Sequence, residues 1–231
     1  MEQYKTTIPT GGITADAIDG TKIADDAINS EHYTDGSIDT AHIGDSQVTA
    51  AKATGVGGLA KIVEKTVNSA VSEVTFQNAF TSTYRKYLLV VSMLIPSSDA
   101  TINLRFYQSD GTSEYSGGYY NFVSAGRDNS GNFESDQGNG DTKIVFCTGG
   151  TDANSASDGG MSGAFYFLEP YSSEFSARMT GTYQWRNASN EYVAQYISGK
   201  YSGTALRTGF KLYPGSGNIE KCFATLYGVI N

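Results

Sequence analysis

Aromatic side chains next to polar ones, between positions 115 and 187, are the residues best suited to binding a ligand. The candidates are Tyr115, Tyr119, Tyr120, Arg127, Trp185, Arg186 and Asn187. Flat aromatic faces stack on sugar rings, while arginine and asparagine form hydrogen bonds with sugar hydroxyls. The sequence therefore predicts a glycan-binding surface in the loops at 109–118, 125–141 and 186–190, with Trp185 and Tyr119 as stacking residues. The alternative for each ring is a place in the core or in a contact between subunits.

Residues for catalysis or metal binding are scarcer. The only histidines are His32 and His42, so the rest of the chain lacks the histidine that a Ser-His-Asp or Cys-His site requires. Pairing of these histidines with Asp35 and Asp45 at the surface is favoured over a metal site on a symmetry axis, and we expect no metal or cofactor. The acids in predicted loops are Glu114, Glu134, Asp136, Asp141, Asp152 and Asp158. Two carboxylates could cleave a glycosidic bond, but solvated loop acids explain these residues better, and we expect no enzymatic activity.

The composition narrows the fold class and the partners. The chain has 231 residues, of which 27 are Gly and 16 are Tyr, and only 17% are charged, a balance typical of all-β proteins. The net charge of −8 argues against nucleic acid as a partner. The longest apolar run, at 87–91, is too short to cross a membrane, so no membrane insertion is expected. Cys147 and Cys222 are expected to be free, buried thiols.

The chain divides into two parts of different composition. Residues 1–55 hold 9 acidic and 3 basic residues, whereas 56–231 hold 15 acidic and 13 basic residues. The first part has two aromatic residues, Tyr4 and Tyr33, and all the others lie in the second part. We therefore predict a repetitive shaft at 1–55, a connector at 56–72 and a β-sandwich domain at 73–231.

The first part contains a strict five-residue repeat of apolar residues. Its members are Ile8, Ile13, Ile18, Ile23, Ile28, Tyr33, Ile38, Ile43, Val48 and Ala53. A period of five fits neither the 3.6 of a helix nor the 2 of a strand. It favours a short extended piece followed by a bend, because Asp, Gly, Asn and Ser fill the positions between. Repeats of this kind indicate a stacked or assembled structure.

One apolar residue in five cannot build a core within a single chain. Ordering about 50 residues costs on the order of 50 kcal/mol or more, and ten side chains that each contribute about 2 kcal/mol do not offset that. A single-chain pentapeptide β-helix needs a small residue two positions before each apolar one, where Asp16, Asp26 and Glu31 stand. The remaining solution is three copies around one axis. The predicted trimer core is Ile13, Ile18, Ile23, Ile28, Tyr33, Ile38, Ile43 and Val48.

The repeat resembles a known family of fibres. The string Ile13-Thr-Ala-Asp-Ala-Ile-Asp-Gly-Thr-Lys-Ile-Ala-Asp-Asp-Ala-Ile28 is similar to the shaft repeats of bacteriophage tail fibres, of the type found in marine and cyanobacterial phages. The resemblance covers about residues 8–55 and implies a homotrimer on the virion with a thin shaft and a distal receptor-binding domain. A long virion-anchoring domain is common in the family, but only about seven residues precede the repeat here. We therefore expect the N-terminus to dock on another virion protein of the tail, fibre or capsid, with a fibre subunit or the capsid favoured over direct attachment to the tail.

The second part has the signals of many short strands. Strands are predicted at 73–76, 86–94, 101–108, 119–124, 142–148, 163–168, 174–185, 191–198, 209–213 and 219–230. This number of strands, separated by Gly/Asp/Asn/Ser loops, predicts an all-β, jelly-roll-like sandwich. The leading functional hypothesis is a homotrimeric receptor-binding fibre that binds a host surface polysaccharide. The alternative is a structural virion component, attached to the capsid or tail, that binds no receptor.

Overall fold

The computed structural model describes residues 12–13, 21, 23–24, 27–28, 30–39, 41–44, 47–48, 58–147 and 152–230. The chain divides into two compact units, Met1–Thr54 and Gly55–Asn231. Within the described residues, every strand belongs to the second unit. These residues include no helix that is long and apolar enough to cross a membrane.

The described part of the first unit is a series of bends that follow the five-residue repeat. Each bend is closed by a backbone N–H that donates to the carbonyl three residues earlier. The donor and acceptor pairs are Ala27 and Ala24, Ser37 and Thr34, His42 and Asp39, and Gln47 and Gly44. Each bend begins directly after an apolar position of the repeat, so the local structure has the period of the sequence.

The apolar side chains of the repeat that the structure describes are exposed in the single chain. The exposed fractions are 49% for Ile13, 37% for Ile23, 44% for Ile28, 50% for Tyr33, 48% for Ile38, 41% for Ile43 and 55% for Val48. Ile18, the remaining member of the predicted trimer core, lies outside the described residues. The trimer itself stays a prediction.

His42 pairs with Asp39, a carboxylate that the sequence did not single out. The His42 imidazole lies 2.8 Å from Asp39 Oδ1, whereas the predicted partner, Asp45, lies outside the described residues. The hydrogen bond with His42 lowers the pKa of the Asp39 carboxyl. Both side chains are exposed, so this is a surface pair within one bend.

The second unit is all-β. Its strands are β1 (Leu59–Val67), β2 (Val74–Phe76), β3 (Lys86–Pro96), β4 (Ile102–Tyr107), β5 (Tyr120–Asp128), β6 (Phe133–Asp141), β7 (Ile144–Phe146), β8 (Gly160–Leu168), β9 (Arg178–Arg186), β10 (Tyr192–Tyr201), β11 (Gly209–Pro214) and β12 (Ile219–Val229). An eight-stranded sheet has the order β1-β12-β3-β8-β9-β10-β5-β6, and a four-stranded sheet has the order β2-β11-β4-β7. Every pairing is antiparallel. This eight-plus-four division differs from the eight strands of a jelly roll.

The two sheets share one core, as expected for a β-sandwich. Phe76 and Phe210 of the small sheet stack at 4.5 Å between ring centroids. Phe210 also lies 4.7 Å from Phe167 of the large sheet. Such aromatic pairs stabilise a fold by about 0.5–1.5 kcal/mol beyond the burial of their area. The core is therefore built by the alternate, inward residues of both sheets.

Both cysteines are free and buried, as predicted. Burial raises the pKa of the Cys222 thiol to about 12 and, together with the charge of Asp152, raises that of Cys147. These thiols are therefore protonated and unreactive at neutral pH.

Two strands lie where the sequence did not predict them. β1 falls in the predicted connector at 56–72, where it pairs with β12 and packs Ile62, Val63 and Val67 against the core. The strand β6 falls in the predicted loop at 125–141. This edge strand is polar and glycine-rich, and its pairing with β5 holds it in place. The β-sandwich therefore begins before residue 73, the predicted start of the domain.

Candidate functional site

The predicted ligand residues fall at two opposite ends of the large sheet. Tyr120 pairs with Tyr201 at one end of β5 and β10, and Asp128 pairs with Val193 at the other. Eight residues of strand separate these pairs, or about 25 Å. Tyr115, Tyr119 and Tyr120 lie near the first end, whereas Arg127, Trp185, Arg186 and Asn187 lie near the second. The prediction of one contact surface formed by all three loops is therefore wrong.

Three of the predicted residues are buried, which corrects their assignment as exposed ligand-binding residues. Trp185 is 1% exposed and stacks on Tyr183 at 5.3 Å. Asn187 is fully buried, and its side chain accepts the backbone N–H of Glu191 at 2.8 Å, which closes the turn between β9 and β10. The side chain of Tyr120 is fully buried too. The cause is the alternation of strand residues, which turns Trp185 inward with Tyr183.

The two predicted arginines lie nearer the surface. The Arg186 guanidinium pairs with Asp158. Arg127 is exposed and donates to the carbonyl of Gly131 at 2.7 Å, which stabilises the turn between β5 and β6. Neither arginine lies beside the predicted tyrosines.

Tyr115 and Tyr119 lie beside the buried Tyr201, which is 3% exposed, at a cleft at the first end. This tyrosine cleft, of about 530 Å³, is lined by Gln108, Glu114, Tyr115, Ser116, Gly117, Tyr119, Tyr201, Gly203, Thr204 and Ala205. Tyr201 is its central ring, with centroid distances of 4.6 Å to Tyr115 and 5.5 Å to Tyr119. Tyr119 is the accessible ring, with 49% of its surface exposed. The cleft thus brings together two predicted ligand residues, Tyr115 and Tyr119, and a third tyrosine, Tyr201, that was not predicted.

A tight turn after β4 positions one wall of the cleft. Asp110 Oδ1 accepts the backbone N–H groups of Thr112 and Ser113 at 2.9 and 2.8 Å. The chain then runs back beside β4, because the N–H of Tyr115 donates to the carbonyl of Phe106 at 2.9 Å. An aspartate that accepts such bonds is the usual way to fix a turn. The turn therefore determines where the Tyr115 ring lies.

Buried groups beneath the cleft hold its rings. The Tyr120 hydroxyl accepts the N–H of Phe106 and donates to the carbonyl of Tyr115, both at 2.9 Å. The fully buried Arg207 lies 5.5 Å from the centre of the Tyr201 ring. Its guanidinium donates to the carbonyls of Gly203, Glu169, Pro170, Ser172 and Phe175. Tyr120 and Arg207 thus help to position Tyr115 and Tyr201 at the cleft.

Two glycines allow the tyrosine rings to lie against the backbone. A Cβ at Gly117 would come within 2.5 Å of the Tyr119 ring, and a Cβ at Gly203 would come within 2.5 Å of the Tyr201 ring. A side chain at either position would displace the adjoining ring. The glycines therefore fix the shape of the cleft.

The cleft has aromatic and polar surfaces but no free charge for catalysis. Burial raises the pKa of Tyr201 to about 12 and also raises that of Tyr115, so both hydroxyls are neutral at pH 7. The Glu114 carboxylate forms ion pairs with Arg105, at 3.3 Å, and with Lys211. Aromatic faces, hydroxyls and the Gln108 amide form a surface that suits a neutral sugar ring.

Three other acids that were predicted in loops, Glu134, Asp136 and Asp141, lie in strand β6. Asp136 and Asp141 accept backbone N–H groups of Gln137 and Thr142. Glu134 lies in β6, where burial, followed by the charges of Asp128 and Glu191, raises the pKa of its carboxyl. The part of the chain that the structure describes holds no group of three or more His, Cys, Asp or Glu side chains suited to a metal ion.

Comparison with known proteins adds no relative. No protein-family model, curated protein sequence or solved structure matches the chain. The grounds for a functional proposal are therefore the repeat of the first unit and the geometry of the tyrosine cleft in the second.

Proposed function

We propose that the protein is a phage virion fibre that assembles as a homotrimer and binds a host surface glycan through the tyrosine cleft. The observation that carries the proposal is the grouping of Tyr115, Tyr119 and Tyr201 around one open cleft. The fibre would be held on the virion through its N-terminal part by another tail, fibre or capsid protein.

The chemistry of the cleft supports a glycan ligand. Sugars present apolar C–H faces and a rim of hydroxyls, and the cleft offers tyrosine rings beside amide and hydroxyl groups. A single shallow site of this kind binds in the millimolar range, at about −4 kcal/mol. Three copies held in one fibre increase the avidity by about 10² or more. Assembly and recognition therefore support each other in this proposal.

The repeat supports the fibre. Its apolar side chains recur every five residues and are 37–55% exposed where the single chain is described. A row of exposed isoleucines is costly for a lone chain and favourable at an axis shared by several copies. The tail-fibre resemblance of this segment points to the same assembly.

The test compares two exposed tyrosines at opposite ends of the sandwich. Tyr119→Ala should weaken binding of the protein to an array of bacterial surface polysaccharides by about tenfold, because stacking on the sugar is lost. The control is Tyr192→Ala, since Tyr192 is 59% exposed but lies at the far end of β10. Equal binding by both variants and the unmodified protein would contradict a role for the cleft.

A second candidate function is a purely structural virion component. It is favoured by the repeat alone, whose spacing accounts for a fibre without any receptor. A stable trimer that binds no glycan on the array and no bacterial cells would support this candidate over the first.

A further inference from the structure

The outward face of the large sheet has an uneven distribution of charge. On the five neighbouring strands β8, β9, β10, β5 and β6, all of them described, alternate side chains point away from the core. The outward cations are Arg127, Arg178, Arg186 and Lys200, and the outward positions of these five strands hold no carboxylate. The outward positions of these strands are therefore positively charged in a chain whose net charge is −8.

The acids of the same strands lie on the inner side. The register pairs Glu134 with Gly126 and Asp136 with Ser124, which is 1% exposed. Asp128, which is 7% exposed, lies on the same side of β5 as Ser124. The remaining acid, Asp141, pairs with the fully buried Tyr120. The two charge signs are therefore segregated across the sheet.

Two of the cations lie directly opposite each other. Lys200 of β10 pairs with Arg178 of β9 in the register of the sheet, and both side chains are exposed. Like charges at opposed positions destabilise a sheet. Among the described residues, neither side chain forms an ion pair that would relieve the repulsion. The pair therefore carries a cost in stability that a bound anion would remove.

The pair lines a groove beside polar amides. This basic groove, of about 390 Å³, includes Asn121, Asn139, Arg178, Ser198 and Lys200 among its lining residues. The groove contains two positive charges and two amides beside the apolar Phe122 and Val123. Its size lies in the range of small-molecule sites.

The basic groove adjoins the tyrosine cleft. Lys200 pairs with Asn121 across the sheet. The Asn121 amide donates to Ser202 Oγ at 2.7 Å and to the Tyr119 carbonyl at 3.4 Å. Neighbouring residues therefore line both sites, with Tyr119 and Tyr201 at the cleft and Asn121 and Lys200 at the groove.

We propose that the basic groove binds the carboxylate groups of an acidic, uronic-acid polysaccharide. The Arg178 guanidinium can hold a carboxylate by two parallel hydrogen bonds while Lys200 supplies a second charge. The amides of Asn121 and Asn139 can bond to adjacent hydroxyls. This inference rests on the proposed glycan-binding function and specifies its substrate class.

The experiment measures retardation of the full-length protein in gels that contain polygalacturonate or the same polymer with its carboxylates reduced to alcohols. Unmodified protein should bind polygalacturonate, and raising NaCl from about 50 to about 300 mM should weaken binding. The double variant Arg178→Gln/Lys200→Gln should bind about tenfold more weakly. The control, Lys61→Gln/Lys221→Gln, removes the same net charge at two other exposed positions on this sheet and should bind as the unmodified protein does.

The outcomes separate this inference from the proposed function. Equal binding of the native and reduced polymers, with both weakened by Tyr119→Ala, would overturn the carboxylate site and leave the glycan cleft standing. Loss of polygalacturonate binding in the double variant, with no effect of Tyr119→Ala, would support the groove and overturn the cleft. If both double variants weakened polygalacturonate binding equally, net charge alone would explain the effect. That result would overturn the groove as the binding site. Binding to anionic lipid vesicles but not to polygalacturonate would overturn it as well.

Discussion

The two units of the chain treat their apolar residues in opposite ways. In the second unit, Leu89, Phe165 and Leu212 are each 1% exposed, between two sheets of the same chain. In the first unit, Ile23 and Ile28 are 37% and 44% exposed. The second unit therefore contains a core of its own, whereas the described apolar residues of the repeat in the first unit are exposed. This contrast is what we expect if the apolar residues of the repeat pack only against other copies of the chain.

The connectivity of the second unit strengthens the contrast. The last strand, β12, lies between β1 and β3 and contributes Cys222, Ala224 and Leu226 to the core. The first and last strands of this unit, β1 and β12, are thus paired with each other in the large sheet. We therefore expect the second unit to keep its fold when the repeat is disrupted.

The largest expected effect comes from placing charge in the repeat. Ile23→Asp/Ile28→Asp should abolish trimer formation, because burying each unpaired carboxylate at the axis costs several kcal/mol. Sedimentation velocity checks the assembly, and near-ultraviolet circular dichroism should show an unchanged second unit. A double variant that still sediments as a trimer would exclude these isoleucines from the subunit interface.

A smaller effect is expected in the second unit from removal of its buried tryptophan. Trp185→Ala should lower the free energy of unfolding by about 3–5 kcal/mol, because a large cavity forms against Tyr183. Urea denaturation measures the change, and Tyr119→Ala, at an exposed ring, is the control with a change of about 0.5 kcal/mol or less. A Trp185→Ala variant as stable as this control would return Trp185 to the list of surface ligand residues.

A third effect, which appears only at high pH, is a loss of stability of the second unit. The pKa values of Tyr107 and Tyr201 are raised to about 12, mainly by burial. The pKa of tyrosine in an unfolded chain is about 10. The unfolded state therefore loses its protons first, so the stabilisation present below pH 10 declines as the pH rises towards 12. Thermal melts between pH 9 and 12 should show a falling midpoint, and a constant midpoint would contradict the burial of these rings.

The sequence predicted some strands of the second unit better than others. The alternation of Met179, Tyr183 and Trp185 predicted β9, and the same alternation implied that Trp185 points inward, away from any ligand. The strand β6 was not predicted because it lies at the edge of the large sheet and has few apolar side chains. Backbone pairing with β5 holds it in the sheet. Tyr201 was missed because β10 continues past the predicted end of the strand.

The candidate sites depend on contacts that a single sequence does not display. Tyr201 meets Tyr115 across more than eighty residues of chain, and Arg178 meets Lys200 only through the register of β9 and β10. The near-balance of charge in 56–231 concealed the segregation of acids and bases between the two sides of the large sheet. Local patterns predicted the elements, whereas the pairing of strands determined the sites.

Sedimentation equilibrium of the unmodified, full-length protein at micromolar concentration shows whether the repeat assembles three chains. Such assembly should give a single species with three times the 24.7 kDa mass of one chain. A folded monomer at that concentration would contradict it.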